Sequence, residues 1–204
     1  MDDSYKTIQN IAEGYITERK SKFISYVIPI ETEAEVKPIL EEYRKKYYNA
    51  RHVCWAYMLG APREDFRAND DGEPSGTAGR PILGQINSFE LTNVLILVVR
   101  YFGGTLLGTG GLVRAYKAAA QAAIENAKIV EKTLDDTFVL QFEYPLLNEV
   151  MRILNQFEEC SWTQNFTETC EMEIKIRQSQ AQHLAQSLSA IYGVTVLETT
   201  EESE

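Results

Sequence analysis

Residues 91–127 read LTNVLILVVRYFGGTLLGTGGLVRAYKAAAQAAIENA, and this stretch decides the fold of the first half of the chain. The unbroken apolar run Val94–Val99 predicts a strand over Leu91–Arg100 that is buried on both faces of a sheet. The alanine-rich segment Leu112–Ala127 predicts a helix, because alanine has the highest helix propensity. Five of the nine residues in Gly103–Gly111 are glycine, which predicts a loop between the strand and the helix.

The glycine-rich loop and the start of the helix have the character of an anion-binding site. Glycine lets backbone N–H groups approach a ligand, and a helix N-terminus offers free donors and partial positive charge. Arg100 precedes the loop, and Arg114 and Lys117 share one face of the early helix. The nucleotide-binding fingerprints are not matched, since Thr109 stands where a P-loop requires lysine and Val113 where a dinucleotide motif requires glycine. A tight packing turn and a protein-binding loop are the alternatives to phosphate or carboxylate recognition.

The rest of the first half predicts further strands and helices of the same domain. Alternating apolar residues indicate strands, and apolar residues at three- and four-residue steps indicate helices. The elements are strands around Ile16 and over Phe23–Ile28, a helix over Glu33–Tyr48, a strand over His52–Leu59, an irregular segment over Gly60–Gly79 and a short helix over Pro81–Phe89. Together they predict a domain over residues 1–130.

The second half of the chain, residues 131–204, predicts a separate domain. Its elements are a strand over Thr137–Phe142, a helix over Pro145–Phe157, strands over Trp162–Phe166 and Glu171–Ile176, a helix over Ser179–Tyr192 and a strand over Val194–Leu197. The order β-α-β-β-α-β is the ferredoxin-like arrangement. The segment Glu198–Glu204 predicts an acidic tail that frays. The predicted fold class is therefore α+β with two domains.

Charge is distributed unevenly between the two halves. Sixteen Lys/Arg balance sixteen Asp/Glu in residues 1–130, whereas residues 131–204 hold 4 and 14, so the whole net charge of −10 falls in the second half. An acidic surface repels phosphate backbones through long-range Coulomb forces. We therefore expect any nucleic-acid contact on the first half, with a basic protein partner as the alternative.

Cysteine content and hydropathy indicate a cytoplasmic protein. The three cysteines, Cys54, Cys160 and Cys170, form no CxxC pair, which is typical of reduced thiols rather than of a disulfide scaffold. The longest apolar run is far shorter than the ~20 residues of a membrane span. The acidic N-terminal residues do not resemble a signal peptide. We expect no membrane partner.

An acidic segment, DDGEPSGTAGRP at residues 70–81, permits two interpretations. Asp70, Asp71 and Glu73 have the residue types that bind Mg²⁺ or act as acid and base, which would suit a metal-dependent hydrolase. Alternatively, the aspartates accept hydrogen bonds from nearby backbone N–H groups in a turn. Ser75 and Thr77 are potential nucleophiles, but no histidine lies near them in the sequence. We predict no catalytic residue, metal or cofactor.

Two further groups of residues have a functional and a structural interpretation. His52 and Cys54 point to one face of their strand, which permits a Cys–His dyad but falls short of a zinc site. The alternative is a packed cysteine beside a hydrogen-bonded histidine. The basic run Arg44–Lys46 precedes Tyr47 and Tyr48, whose rings could stack on bases. The alternative there is a solvated helix end, where cations favour the helix dipole.

Four segments of the chain resemble the signature of the IMPACT family in its bacterial, YigZ-type form. They are Asp70–Pro81, Val99–Gly104, Leu107–Gly108 and Gly110–Tyr116. The resemblance extends over residues 15–127 and rests on long, ordered motifs. It implies an N-terminal domain like domain 2 of ribosomal protein S5. It also implies a C-terminal ferredoxin-like domain similar to the last domain of the translocation elongation factor.

The resemblance further implies a connection with translation. Eukaryotic members of the family are linked to control of translation initiation, through competition for an activator of a stress-responsive kinase. A bacterial-type chain is expected to lack the additional N-terminal partner domain of those proteins, so that particular role does not carry over. What carries over is an expectation of translation-related or nucleic-acid binding.

We therefore interpret the chain as a non-enzymatic binding protein that contacts RNA, the ribosome or a translation factor through its N-terminal domain. Arginine would pair with phosphate and tyrosine would stack on bases at this surface. The expected binding residues surround the glycine-rich loop and are Arg80, Arg100, Tyr101, Gly103, Gly104, Gly108, Gly110, Gly111, Arg114, Tyr116 and Lys117. A protein–protein regulatory module and a metal-dependent hydrolase using Asp70–Glu73 are the alternatives.

Overall fold

The computed structural model describes residues 3–166 and 169–198 of the 204-residue chain. The chain divides into two compact units. The N-terminal unit is Tyr5–Lys132, and the C-terminal unit begins at Thr133 and also includes Asp3 and Ser4. The acidic tail that the sequence predicts lies outside the described residues from position 199 onward. In the described part of the chain, no helix is both long enough and apolar enough to cross a membrane.

The N-terminal unit is built on an antiparallel sheet of five strands with helices on both faces. The strands are β1 (Ser4–Ile8), β2 (Ala12–Glu18), β3 (Ser21–Pro29), β4 (His52–Leu59), β5 (Asp65–Asn69), β6 (Val94–Tyr101) and β7 (Ile129–Thr133). The helices are α1 (Val36–Lys46), which follows a 3-10 turn over Glu33–Glu35, α2 (Gly79–Ser88) and α3 (Gly108–Glu125). The sheet has the order β2-β3-β6-β4-β5, and β1 pairs with β7 in a separate two-stranded sheet.

Strand β6 is the central strand of the five, as its apolar sequence predicts. Every residue of Val94–Val99 is fully buried. The even-numbered side chains of this run pack in the cluster that includes α2 and α3, and the odd-numbered ones pack in the cluster that includes α1. The sheet therefore separates two hydrophobic cores, and the residue that follows the run, Arg100, continues the face that α2 and α3 cover.

Three features of the N-terminal unit differ from the sequence-based expectations. Strand β5 lies within Gly60–Gly79, which the sequence indicated to be irregular. Strands β1 and β7 were not predicted. Helix α3 begins at Gly108 rather than at Leu112, so that the glycines at 108, 110 and 111 belong to the helix. The loop between β6 and α3 is accordingly shorter than the predicted Gly103–Gly111.

The C-terminal unit has one four-stranded sheet and two helices. Its elements are β8 (Asp135–Phe142), a 3-10 turn over Tyr144–Leu146, α4 (Leu147–Leu154), β9 (Ser161–Phe166), β10 (Cys170–Arg177), α5 (Gln178–Ser189) and β11 (Thr195–Glu198). The strand order is β11-β8-β10-β9, with antiparallel neighbours throughout. Alternate residues of β10 pack with α4 and α5 in one core. The element order is the β-α-β-β-α-β that the sequence indicates.

Asp3 supplies the acceptor at the N-terminus of α5. Its carboxylate accepts hydrogen bonds from the Ser179 backbone N–H at 3.0 Å and from Arg177 Nε at 2.7 Å. Hydrogen bonds from Ser179 and pairing with Arg177 lower the pKa of the Asp3 carboxyl to about 2, against the opposing effect of burial. The short segment before β1 is thereby attached to the C-terminal unit.

Candidate functional site

The first turn of α3 lacks the residues that usually complete a helix start. Its N-cap residue, Leu107, makes no side-chain capping bond, and among the described residues of the first turn none is acidic. Helix starts commonly use Ser, Thr, Asp or Asn caps together with acidic residues. Gly108, Thr109 and Gly110 are exposed, and Gly108 has a φ of +69°, a conformation that favours glycine. The start of α3 is thus exposed at these three residues, and the side chain of its N-cap residue binds none of the N–H groups there.

Arg114 brings a positive charge to the same turn. A Cβ atom added at Gly110 would lie 3.5 Å from Arg114 Nη1, so the guanidinium lies over the glycine. The helix dipole opposes a cation at this end and favours an anion. An arginine over a helix start whose first turn contains no acidic residue therefore favours binding of a negatively charged group. Arg80 and Lys117 are exposed as well.

The five glycines of the predicted site have different roles. Gly103 is required for packing, because a Cβ there would lie 2.1 Å from the backbone carbon of Lys20 in the β2–β3 turn. Its N–H donates to Ser21 Oγ at 3.2 Å. Gly111 is buried, whereas Gly104 is exposed with open space around it. Gly103 therefore belongs to a tight packing turn, which is one of the alternatives that the sequence left open, whereas Gly104 lies in an exposed part of the same segment.

Two residues expected on the binding surface lie in the interior instead. Arg100 is 5% exposed, and its Nη1 donates to Glu73 Oε1 at 2.5 Å. Tyr116 is fully buried and donates to the same oxygen at 2.8 Å. The expectation that they line the surface is wrong, because Arg100 continues the covered face of β6 and Tyr116 belongs to the sheet-facing stripe of α3. Both side chains are buried and bind Glu73, so they are structural residues beneath the surface rather than part of it.

The buried cluster extends to Cys54, and its geometry contradicts a Cys–His dyad. Cys54 Sγ lies 3.0 Å from the Asp70 carbonyl oxygen and 3.3 Å from the Tyr116 hydroxyl. Burial raises the pKa of the Cys54 thiol, which disfavours the nucleophilic thiolate. His52 Nδ1 donates to the Asp71 carbonyl oxygen at 2.7 Å. The packed cysteine beside a hydrogen-bonded histidine is therefore the arrangement present.

Asp70 organises the acidic segment as a turn. Its carboxylate accepts hydrogen bonds from the backbone N–H groups of Gly76, Ala78 and Gly79 at 2.7, 3.0 and 2.8 Å. Burial raises the pKa of Asp70, but these three donors outweigh that effect and hold it below its ordinary value. The turn interpretation is therefore correct for Asp70.

The other two carboxylates of the segment have separate partners. Asp71 accepts from Val53 N–H and from Arg44, both at 2.7 Å, while Glu73 belongs to the buried cluster. Within the part of the chain that the structure describes, no group of three or more His, Cys, Asp or Glu residues is arranged to hold a metal ion. Ser75 is exposed, and Thr77 is buried with its hydroxyl donating to the Pro74 carbonyl oxygen. Each of the three carboxylates is therefore engaged by hydrogen-bond or ion-pair partners of its own.

Two exposed apolar side chains next to the glycines were missed by sequence reasoning. Phe102 is 49% exposed and Leu106 is 82% exposed. The Arg100 guanidinium carbon lies 5.8 Å from the centre of the Phe102 ring and 5.6 Å from that of Phe23. The sequence feature that could have predicted their exposure is the presence of large apolar residues in a loop without hydrophobic periodicity.

The fold and the site define an α+β protein of two units, in which a buried Glu–Arg–Tyr cluster supports a glycine-rich, positively charged helix start. A family model described as the Impact N-terminal domain matches residues 19–124. The chain is 33% identical over 177 residues to IMPACT family member YvyE of Bacillus subtilis, covering 87% of this chain and 82% of that protein. It belongs to the IMPACT family.

Two further similarities extend this result. IMPACT family member YigZ of Escherichia coli is 38% identical over 140 residues, covering 68% of this chain and 69% of that protein. A crystal structure described as that of a hypothetical protein superposes with a TM-score of 0.70 at 27% identity, covering 99% of this chain and 100% of that chain. The similarity to known proteins thus includes the C-terminal unit.

Proposed function

We propose that this chain is a non-enzymatic, cytoplasmic binding protein of translation or its regulation, and that its N-terminal unit contacts RNA at the start of α3. The observation that carries the proposal is the uncapped first turn of α3 with the Arg114 guanidinium over Gly110. Backbone N–H groups, the helix dipole and a guanidinium all favour a phosphate there. The link to translation rests on the family, whose eukaryotic members are connected with control of initiation.

The proposal includes a finer assignment of the two units. We propose a domain like domain 2 of ribosomal protein S5 over residues 1–130 and a ferredoxin-like domain over residues 131–204. The antiparallel order β11-β8-β10-β9, together with the β-α-β-β-α-β element order, supports the second assignment. Such domains also occur in components of the translation machinery, which agrees with an RNA or ribosome contact.

A charge reversal at Arg114 tests the RNA contact. Fluorescence anisotropy of the full chain with labelled tRNA should show binding at ~50 mM salt that weakens steeply toward ~200 mM. Arg114→Glu should weaken binding and make the salt dependence shallower by about one counterion. Lys128→Glu is the matched control, because Lys128 is an exposed cation beyond the other end of α3. Absence of binding at ~50 mM salt, or equal effects of both variants, would refute the proposal.

A protein-binding regulatory module is the second candidate, and the exposure of Leu106 favours it. An apolar side chain that is 82% exposed in a loop is suited to a pocket on a protein partner. Pull-down from a nuclease-treated lysate distinguishes the two candidates. Partners bridged by RNA are lost after nuclease treatment, whereas a direct protein partner remains and is lost with Leu106→Ser.

A further inference from the structure

Exposed charges are distributed unevenly between the two ends of the five-stranded sheet. The register pairs Lys22 with Tyr101 and His52 with Arg100, so the start of β3, the end of β6 and the start of β4 lie at one end. We call it the basic end, and its exposed cations are Arg19, Lys20, Lys22, Arg44, Lys45, Lys46, Arg51, Arg80, Arg114 and Lys117. Exposed carboxylates at the opposite end are Glu31, Glu33, Glu35, Glu64, Asp65 and Glu90, whereas Glu18 pairs with Ser21 in register and lies at the basic end.

Glu18 lies 3.9 Å from Arg19 and partly offsets that cation, but the three carboxylates of the acidic segment are engaged elsewhere. Asp70 is bound by three backbone N–H groups, Asp71 by Arg44 and a backbone N–H, and Glu73 by Arg100 and Tyr116. Asp71 thus pairs with the exposed Arg44, whereas Asp70 and Glu73 are bound mainly by groups inside the unit. Exposed cations therefore outnumber exposed carboxylates at the basic end, although the charges of the unit as a whole are balanced. Such a surface attracts a polyanion and raises its rate of association.

The basic end is one continuous surface. The Tyr101 hydroxyl donates to Asn49 Oδ1 at 3.0 Å, and the Arg51 N–H donates to the Arg100 carbonyl oxygen at 2.9 Å. These bonds join the segment after α1 to the segment after β6. On the other side, Gly103 packs directly against Lys20. The basic run at the end of α1, which the sequence also allowed to be only a solvated helix end, therefore adjoins the glycine-rich loop.

Two exposed aromatic side chains flank this junction. Tyr48, beside Asn49, is 85% exposed, and Phe102, beside Tyr101, is 49% exposed. The Phe102 ring contacts the Arg100 guanidinium, which Glu73 holds by an ion pair. A ring that is supported from behind and half exposed is suited to stacking with a planar group. Aromatic rings within a positively charged surface are the features by which proteins bind single-stranded nucleic acid.

We propose that the basic end binds single-stranded RNA, with unpaired bases stacked on Phe102 and Tyr48 and phosphates bound by the surrounding cations. This inference rests on the RNA contact proposed above and specifies the form of RNA. A duplex keeps its bases stacked within the helix, so it offers these rings no base face and contacts the cations alone. The two rings therefore distinguish unpaired from paired RNA.

The test compares a labelled single strand of about 12 nucleotides with a duplex of the same length, using anisotropy and the full chain. Phe102→Leu and Tyr48→Leu remove the ring but keep an apolar side chain. Each should weaken single-strand binding about tenfold and leave duplex binding unchanged. Tyr192→Leu is the control, because Tyr192 is a 99% exposed tyrosine of the C-terminal unit. It should change neither affinity.

The outcomes separate this inference from the function on which it rests. One outcome is that the wild type binds both forms equally and neither leucine variant changes the affinity, while Arg114→Glu still weakens binding. In that case base stacking is refuted and the RNA contact stands. If neither form binds, both proposals are refuted. Circular dichroism melting of Phe102→Leu and Tyr48→Leu should match the wild type, since both residues lie on the surface. A loss of single-strand affinity with an unchanged melting curve supports the inference.

Discussion

The Glu73 carboxylate and the Arg100 guanidinium meet at 2.5 Å inside the N-terminal unit, where their side chains are 4% and 6% exposed. Glu73 belongs to the acidic segment, and Arg100 ends the central strand just before the glycine-rich loop. Their ion pair, with the Tyr116 hydroxyl as a third member, connects the acidic segment, β6 and α3. Three segments of the family signature therefore meet in one buried cluster, which positions the proposed RNA surface.

Replacement of Glu73 by glutamine should strongly destabilise the N-terminal unit. The variant leaves Arg100 buried without a counter-charge, which costs about 3–5 kcal/mol of unfolding free energy. Urea denaturation followed by circular dichroism measures the change. The matched control is Glu90→Gln, since Glu90 pairs with Lys6 on the surface, and we expect a much smaller loss because solvent screens an exposed pair. Equal losses of unfolding free energy would show that the buried ion pair stabilises the protein no more than the surface pair does.

Cys54 should be inert toward thiol reagents in the folded protein. It is fully buried and burial raises its pKa, whereas Cys160 is only half-buried. Ellman's reagent at pH 8 should therefore modify Cys160 slowly in the native state and reach Cys54 only after unfolding. Cys160→Ser should abolish labelling of the native protein. Mass spectrometry that found Cys54 modified first would contradict the packing described above.

Alanine substitutions at two glycines should have opposite effects on stability. Gly103→Ala places a Cβ against the Lys20 backbone and should lower the unfolding free energy by about 2 kcal/mol. Gly110→Ala has room for the methyl group and lies in a helix, so stability should stay constant or rise by up to about 1 kcal/mol. Thermal melting of both variants checks the difference. Tolerance of Gly103→Ala would show that the loop does not pack tightly on the β2–β3 turn.

Asp3 should make the stability of the C-terminal unit dependent on pH. Its folded pKa is about 2, below the ordinary value of about 3.9. The stabilisation is therefore complete above about pH 4 and is lost as pH falls toward 2. Asp3→Asn should melt below the wild type at pH 7, and the difference should shrink between about pH 4 and pH 3. A constant difference over this range would mean that the ionised carboxylate is not the stabilising group.

The strongest sequence signals correctly predicted much of the architecture. The apolar run of β6, the alanine-rich α3 and the element order of the C-terminal unit follow from periodicity and helix propensity. Strand β5 was missed because it is an exposed edge strand with a polar sequence, Asp65–Asn69. The start of α3 was placed too late because glycine has low helix propensity, yet the chain is helical from Gly108.

The candidate site was only partly predictable for a different reason. The sequence shows Arg100 and Tyr116 as polar residues near a glycine-rich loop. We therefore expected both side chains at the surface. Their burial depends on Glu73, which lies 27 residues before Arg100 and 43 before Tyr116. Such a pairing becomes visible only when the sheet is assembled. The uneven distribution of charge between the sheet ends has the same origin, because strand register rather than local sequence brings those cations together.

The most direct test of the central claim is an NMR titration of the ¹⁵N-labelled full chain with single-stranded RNA of about 12 nucleotides. We expect the largest amide shifts at Gly104, Gly108 and Gly110, with further shifts at Arg51. Amides at the opposite end of the sheet, such as that of Glu64, should stay unchanged. Shifts confined to the opposite end or to the C-terminal unit, or no shifts at low salt, would contradict the claim that the start of α3 and the basic end form the binding surface.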